Sequence, residues 1–279
     1  MLKTIVKLVL CIIVYTVVFL VVSAVMPYSQ SFKEMSSSDN PFIILFMMVY
    51  NACVCFTIYF IIKHAHYNGK NLFFIIVFVM FFVQPFMTHI ESFFINGPFY
   101  TLTKLDVILI ILAGLFPLLA TVPLLIKFFH IKNGVPVNCK IYIKYIPIKL
   151  GIIGMVYLCS YILLGFIVTL LFEEFKTHYG ETIANTPNAY LNAFIQILRG
   201  ILYGVFIIPL IKIIKTKWEF IISICMVYLC TSIQLIIPNE FIPDNLKIIY
   251  FIEMTGAMLL FGIIVGNIIW WNKKQKTSA

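Results

Sequence analysis

Apolar residues run along this chain in long, nearly unbroken blocks, separated by short clusters of turn formers. A helix needs about 20 such residues to cross a bilayer's hydrocarbon core. Eight blocks reach that length: Val6–Val25, Phe42–Ile62, Leu72–Ile90, Val107–Phe129, Ile148–Phe172, Tyr190–Ile211, Phe220–Ile237 and Ile248–Trp271. The connections carry Pro27 to Pro41 with Ser36, Ser37 and Ser38, then Asn68-Gly69, Asn96-Gly97-Pro98, Asn133-Gly134 with Pro136, Pro187, and Pro238 to Pro243. Residues of these types punctuate helices. The pattern predicts an all-α fold, a polytopic membrane helix bundle of eight transmembrane helices, with residues 1–279 forming a single integral-membrane domain.

Charge is arranged by connection. Fifteen of the nineteen lysines fall in the N-terminus, the even-numbered connections and the C-terminus. Only Lys33, Lys104, Lys176 and Lys247 fall on the other side, together with Glu34, Asp39, Asp106, Glu173, Glu174, Glu181, Glu240 and Asp244. Cytoplasmic loops carry the excess of basic residues, so both termini are expected in the cytoplasm. An odd number of spans would destroy this alternation. Lys3, Lys7, an apolar run and Val22-Ser23-Ala24 also fit a signal peptide. The run is longer than the usual 7–15 residues, which favours an uncleaved first helix.

Composition agrees. The chain is 62% hydrophobic and 11% charged, against about 25% charged in soluble domains. The net charge of +9 is spread by loop rather than gathered in a patch. No nucleic-acid partner is therefore expected, and membrane lipids are the surroundings. The seven cysteines form no CxxC pair and six lie in apolar runs, where a thiol behaves as a small hydrophobe. Preference for Lys over Arg, with much Ile, Phe and Asn, points to an AT-rich bacterial genome and so to a bacterial cytoplasmic membrane.

Polar residues inside the spans are few and regularly spaced. Arg199, the only arginine, lies within the sixth span. A guanidinium stays charged in proteins, and placing it at bilayer depth costs about 2.5–3.5 kcal/mol. Asn192, Gln196, Arg199 and Tyr203 fall at i, i+4, i+7 and i+11 and line one helix face. Gln84, Thr88 and Glu91 do so in the third span, with His89 and Ser92 beside them. Glu253, Gly256 and Asn267 share a face in the eighth span, and Ser223, Thr231 and Gln234 approximately do in the seventh. Asn51, Cys55 and Tyr59 do so in the second. Such faces should meet one another or water. Counting about 1.5 Å per residue puts Arg199, Glu91 and Glu253 in the external half, with Arg199 able to reach either acid. An Arg199–Glu253 pair is the expected centre of a site, although such a pair also serves helix packing alone.

The candidate substrate-binding residues are thus Arg199, Glu253, Glu91, His89, Gln84, Gln196, Asn192, Tyr203 and Gln234. His89, Glu91 and Glu253 contain ligand types for a metal, but His89 is the only histidine well inside a span, which disfavours that reading. No cofactor is expected. Gly151-Ile-Ile-Gly154 and Gly262-x-x-x-Gly266 read as small-residue packing motifs. Tyr15, Tyr157, Tyr161, Trp270 and Trp271 read as packing or interfacial residues. Pro85, Pro117 and Pro123 predict kinks. A nucleophile elbow, a Walker loop and HExxH are not found.

Sliding the second half over the first by about 147 residues aligns Asp106 with Glu253, Gln84 with Gln234, and Tyr15–Ser23 with Tyr161–Thr169. That pattern fits a four-plus-four parallel repeat with a pseudo-twofold axis along the membrane normal. Three functions remain open. A transporter or permease of a small solute or ion comes first. An enzyme acting on a lipid or lipid-linked substrate, with His89 and Glu91 as acid and base, is the second. A non-catalytic sensor or assembly component is the third.

Overall fold

A computed structural model describes residues 2–36, 41–67, 69–90, 103–130, 139–140, 145–173, 189–237, 244–271 and 274–275. It is an all-helical bundle with eight helices long and apolar enough to span a membrane: Leu2–Val25, Ile43–His64, Lys70–His89, Lys104–Phe129, Ile146–Leu171, Tyr190–Ile213, Lys217–Ile236 and Leu246–Trp270. These are the first to eighth spans below, and each lies within four residues of the block that predicts it. A short helix, Gln30–Ser36, follows the first span, and Cys139–Lys140 pairs antiparallel with Lys274–Gln275.

The outer surface, unlike that of a soluble bundle, is apolar. The first span shows Ile5, Val9, Ile13, Val17 and Leu20 on its exposed surface and turns Cys11, Tyr15 and Thr16 inward. Asn51, Thr57, Gln84, Thr121, Gln196 and Arg199 are buried. An apolar outer surface over a largely apolar core, with the few polar side chains turned inward, is what a lipid solvent selects. Only 17% of the first span is buried, against 44%, 56% and 50% of the third, sixth and seventh. The first span packs on the second and fourth, the third on the fourth, the fifth on the sixth and eighth, and the seventh on the eighth. The second also meets the seventh, and the third meets the sixth. The second, third, sixth and seventh spans are thus central.

Glycine decides how closely several pairs approach. A Cβ on Gly200 would stand 2.5 Å from Tyr157 Cβ and 2.8 Å from Gly154 Cα. One on Gly154 would stand 2.9 Å from the Ile197 carbonyl oxygen. Gly262 and Gly266 bring the eighth span against Cys225 and Ile221 of the seventh. The packing role predicted for these glycines holds for Gly154, Gly262 and Gly266, whereas Gly151 faces open space.

Two of the three expected interruptions are found. Pro85 sits in a π-helical turn, Phe82–Phe86, which absorbs the residue its missing N–H would otherwise disrupt. Its ring fills the space beside Gly114, and there the fourth span breaks into Lys104–Ala113 and Leu115–Phe129. Pro117 lies four residues beyond Ala113, whose carbonyl it leaves without a helical donor, and the helix continues through Pro123. The interruption therefore falls where Pro117 acts, and Gly114 leaves the room that Pro85 occupies.

At the end of the bundle away from Leu2 and Trp270, Asp106 fastens two segments. Its carboxylate accepts hydrogen bonds from the Ser29 and Thr103 backbone N–H groups and from both hydroxyls, while the Thr103 hydroxyl accepts from the Asp106 N–H in a capping box. Burial and this carboxylate push the neighbouring Tyr28 phenol up to about 12. Asp106→Ala strands up to four donors, each costing about 1–3 kcal/mol if it stays dry. We expect a loss of about 2 kcal/mol after water replaces some of them. Hydrogen exchange should show the amides of 29–36 losing protection first, and unchanged protection there would rule the fastening out.

Candidate functional site

The polar stripes become two connected groups. On the sixth span the Arg199 guanidinium donates from Nη1 to Gln196 Oε1 at 3.2 Å, and Gln196 Nε2 donates to Asn192 Oδ1 at 3.1 Å. Spacing of three and four residues makes this ladder possible on one face. The Arg199 Cζ lies 5.6 Å from the centre of the Tyr157 ring, within cation–π range. Arg199 is 6% exposed and Gln196 is 0% exposed.

The second group joins the third, seventh and eighth spans. Gln234 Nε2 donates to Thr88 Oγ1 at 3.0 Å, and Thr88 donates to the Gln84 carbonyl. Gln84 Nε2 donates to the Val227 carbonyl of the seventh span. Thr255 donates to Ser232 at 3.2 Å. Two buried atoms of the third span have no hydrogen-bond partner among the described residues, Gln84 Oε1 and His89 Nδ1.

An aromatic layer relates the two groups in depth. Tyr157, Tyr203, Tyr228 and Phe261 form a cluster with ring centroids 5.0–5.9 Å apart, and the Tyr228 hydroxyl donates to the Tyr203 carbonyl. These residues therefore share one level. Arg199 lies four residues from Tyr203, Ser232 four from Tyr228, and Thr255 six from Phe261, all toward the end away from Leu2 and Trp270. At about 1.5 Å per residue, all three sit in a slab about 6–9 Å beyond the aromatic floor. Thr88 and Gln234 belong to the same region through their bond to each other. Polar side chains of four helices thus lie in one polar slab of depth on the same side of the aromatic rings.

The structure places the expected residues unevenly. Asn192, Gln196 and Arg199 form one unit, and Gln84, Thr88 and Gln234 another. Tyr203 is 1% exposed and belongs to the aromatic floor rather than to the stripe above it. Glu253, half-buried, makes no ion pair with Arg199 among the described residues. Among the described residues Arg199 bonds Gln196 of its own helix. The face assigned to Glu253, Gly256 and Asn267 also dissolves, since Asn267 is exposed and donates to its own helix at Ile263. Ser223 and Thr231 likewise bond their own helix. Glu91 and Ser92 lie outside the described residues.

Sequence reasoning missed Ser232, Thr255, Tyr228 and Phe261. Their partners lie on other helices, and no spacing along one span reveals them. Among the described residues no three His, Cys, Asp or Glu side chains come together as a metal site. Cys11, Cys53, Cys55, Cys159, Cys225 and Cys230 are free thiols. Comparison of the chain with family models, curated proteins and solved structures returns no match, so its own chemistry carries the functional reading.

Proposed function

We propose that this chain is a multi-pass transporter or permease of a small solute or ion, and that its solute carries negative charge. The observation that carries this reading is Arg199, a permanent cation held near the middle of a span by Gln196 and Tyr157. Ionisable groups at bilayer depth are expensive and mark solute pathways by default. The lysine distribution puts the end with Leu2 and Trp270 in the cytoplasm and the polar slab in the external half. Composition favours a bacterial cytoplasmic membrane.

The chain is read further as two four-span halves related by a pseudo-twofold axis along the membrane normal. The pairings first–second, first–fourth and third–fourth recur as fifth–sixth, fifth–eighth and seventh–eighth, and second–seventh recurs as sixth–third. In each half a lysine near the start of the first helix leans on the end of the fourth. Lys7 lies over Phe128, and Lys149 donates to the Ile269 and Trp271 carbonyls. Asp106 and Glu253 fit less well, since Asp106 caps its helix whereas Glu253 lies well inside Asp244–Trp270.

Thermal unfolding of the purified protein tests the solute reading. Chloride, phosphate, acetate and a zwitterionic amino acid are compared with a series of cations. A ligand of the folded state at 100 times its Kd adds about 2.7 kcal/mol of stability. At least one anion should raise the midpoint in a saturable way while the cations do not. Saturable stabilisation by cations alone would reject an anion site at Arg199.

A further inference from the structure

The seam between the proposed halves has a feature that symmetry explains. In a repeat offset by about 147 residues, a residue that touches its own counterpart must lie on the axis. His66 N–H donates to the Ile213 carbonyl at 2.8 Å, and Ala65 pairs antiparallel with Ile214. At the other end Gln234 bonds Thr88, 146 positions away. Both contacts join near-equivalent residues, so they mark the two ends of one axis. A twofold axis along the normal brings equivalent segments past each other in opposite directions, which is the antiparallel geometry found at Ala65 and Ile214. Both residues are extended, at φ −81°, ψ 132° and φ −104°, ψ 131°, where the second and sixth spans end.

The glycine contacts are distributed in a second, independent way. Among the described residues every close glycine approach to another span stays within a half: Gly114 with Pro85, Gly154 and Gly200 with each other's helices, Gly204 with Ile153, and Gly262 and Gly266 with the seventh span. Helices locked at these distances move together. The seam carries none of them. It is bridged near the terminal face by extended backbone that follows the ends of the second and sixth spans, within seven residues of Ile61, Ile207 and Ile211, which are fully or nearly fully buried.

We propose that the paired backbones at 65–66 and 213–214 are the cytoplasmic gate of an alternating-access cycle, with the Thr88–Gln234 contact as the pivot about which two rigid halves swing. The inference rests on the transporter reading and names its moving part. Opening breaks the backbone pairing and admits water to the aliphatic layer behind it.

The test uses the full chain with Cys139 and Cys159 changed to serine. A65C and I214C form the lock, since residues opposed across an antiparallel bridge lie within disulfide range. I211C is the reporter, and I207C replaces it if that variant does not fold. In inside-out vesicles an impermeant maleimide is applied from the cytoplasmic side, and labelling of the reporter peptide is read by mass spectrometry. The reporter should label under reducing conditions, fall at least tenfold when the lock is oxidised, and recover on reduction. Labelling that ignores the lock, or a reporter that never labels in the reduced protein, would overturn the gate. Gated labelling without any anion-dependent stabilisation keeps the gate and rejects the anion reading. Anion stabilisation with ungated labelling does the reverse.

Discussion

Arg199→Met should give a folded protein that no longer responds to anions. Two effects on stability oppose each other. Removing a charge from bilayer depth returns about 2.5–3.5 kcal/mol on insertion scales. Leaving the buried Gln196 Oε1 without its donor costs about 1–3 kcal/mol, and losing the contact with Tyr157 costs about 0.5–2 kcal/mol. For the contacts among the described residues these terms nearly cancel, so unfolding should stay within about 2 kcal/mol of the parent. The anion-dependent rise in midpoint should vanish. Arg199→Lys keeps the charge but not the planar fork that addresses Gln196 and Tyr157 together, so a reduced response should remain. Glu253→Leu adds a discriminating arm. With no Arg199–Glu253 ion pair among the described residues, the double-mutant cycle between the two should give a coupling below about 0.5 kcal/mol. A coupling of several kcal/mol, or full anion response in Arg199→Met, would refute the assigned site.

The largest effect on stability is expected at Gly200. Its missing side chain lets the sixth span lie against Gly154 Cα and Tyr157 Cβ. A methyl group there meets backbone as well as side chain, so the fifth and sixth spans must move apart. Overpacking of this kind typically costs about 1–3 kcal/mol, and Gly200→Ala should reach the upper part of that range. Gly200→Leu should not fold. The spreading also draws Tyr157 away from the Arg199 guanidinium, so the anion response should weaken in Gly200→Ala even where the protein remains helical. Gly151→Ala is the control. No atom lies within 4 Å of the place its methyl group would occupy, and alanine's helix propensity favours it by up to about 1 kcal/mol. Detergent-resistant helicity followed through a denaturant titration measures both. Equal behaviour of the two variants would show that the Gly154–Gly200 contact does not hold these helices.

Much of the bundle is legible in the chain because one solvent imposes one rule. Hydrocarbon satisfies no backbone group, so each span must be helical along nearly its whole length, and its apolar length marks it. Local features follow equally. Thr103 and Asp106 form the capping box that their spacing permits, and Asn192, Gln196 and Arg199 line one face because they repeat at helical intervals. These are facts about a single helix, and the sequence by itself determined them.

Which faces meet was not legible in the same way. Lipid and a neighbouring helix are equally apolar, so periodicity does not say which partner an apolar face takes. Only the tertiary structure directed Arg199 to Gln196 and Tyr157 instead of Glu253, since a long side chain ending in five donors has several acceptors within reach. It also seated Pro85 of the third span against Gly114 of the fourth. Tyr228, Phe261, Ser232 and Thr255 entered the site through contacts between helices far apart in sequence. Distances along one span are fixed by the helix's own hydrogen bonds; distances between spans are fixed by glycines, aromatic rings and shared hydrogen bonds that exist only once the helices have packed.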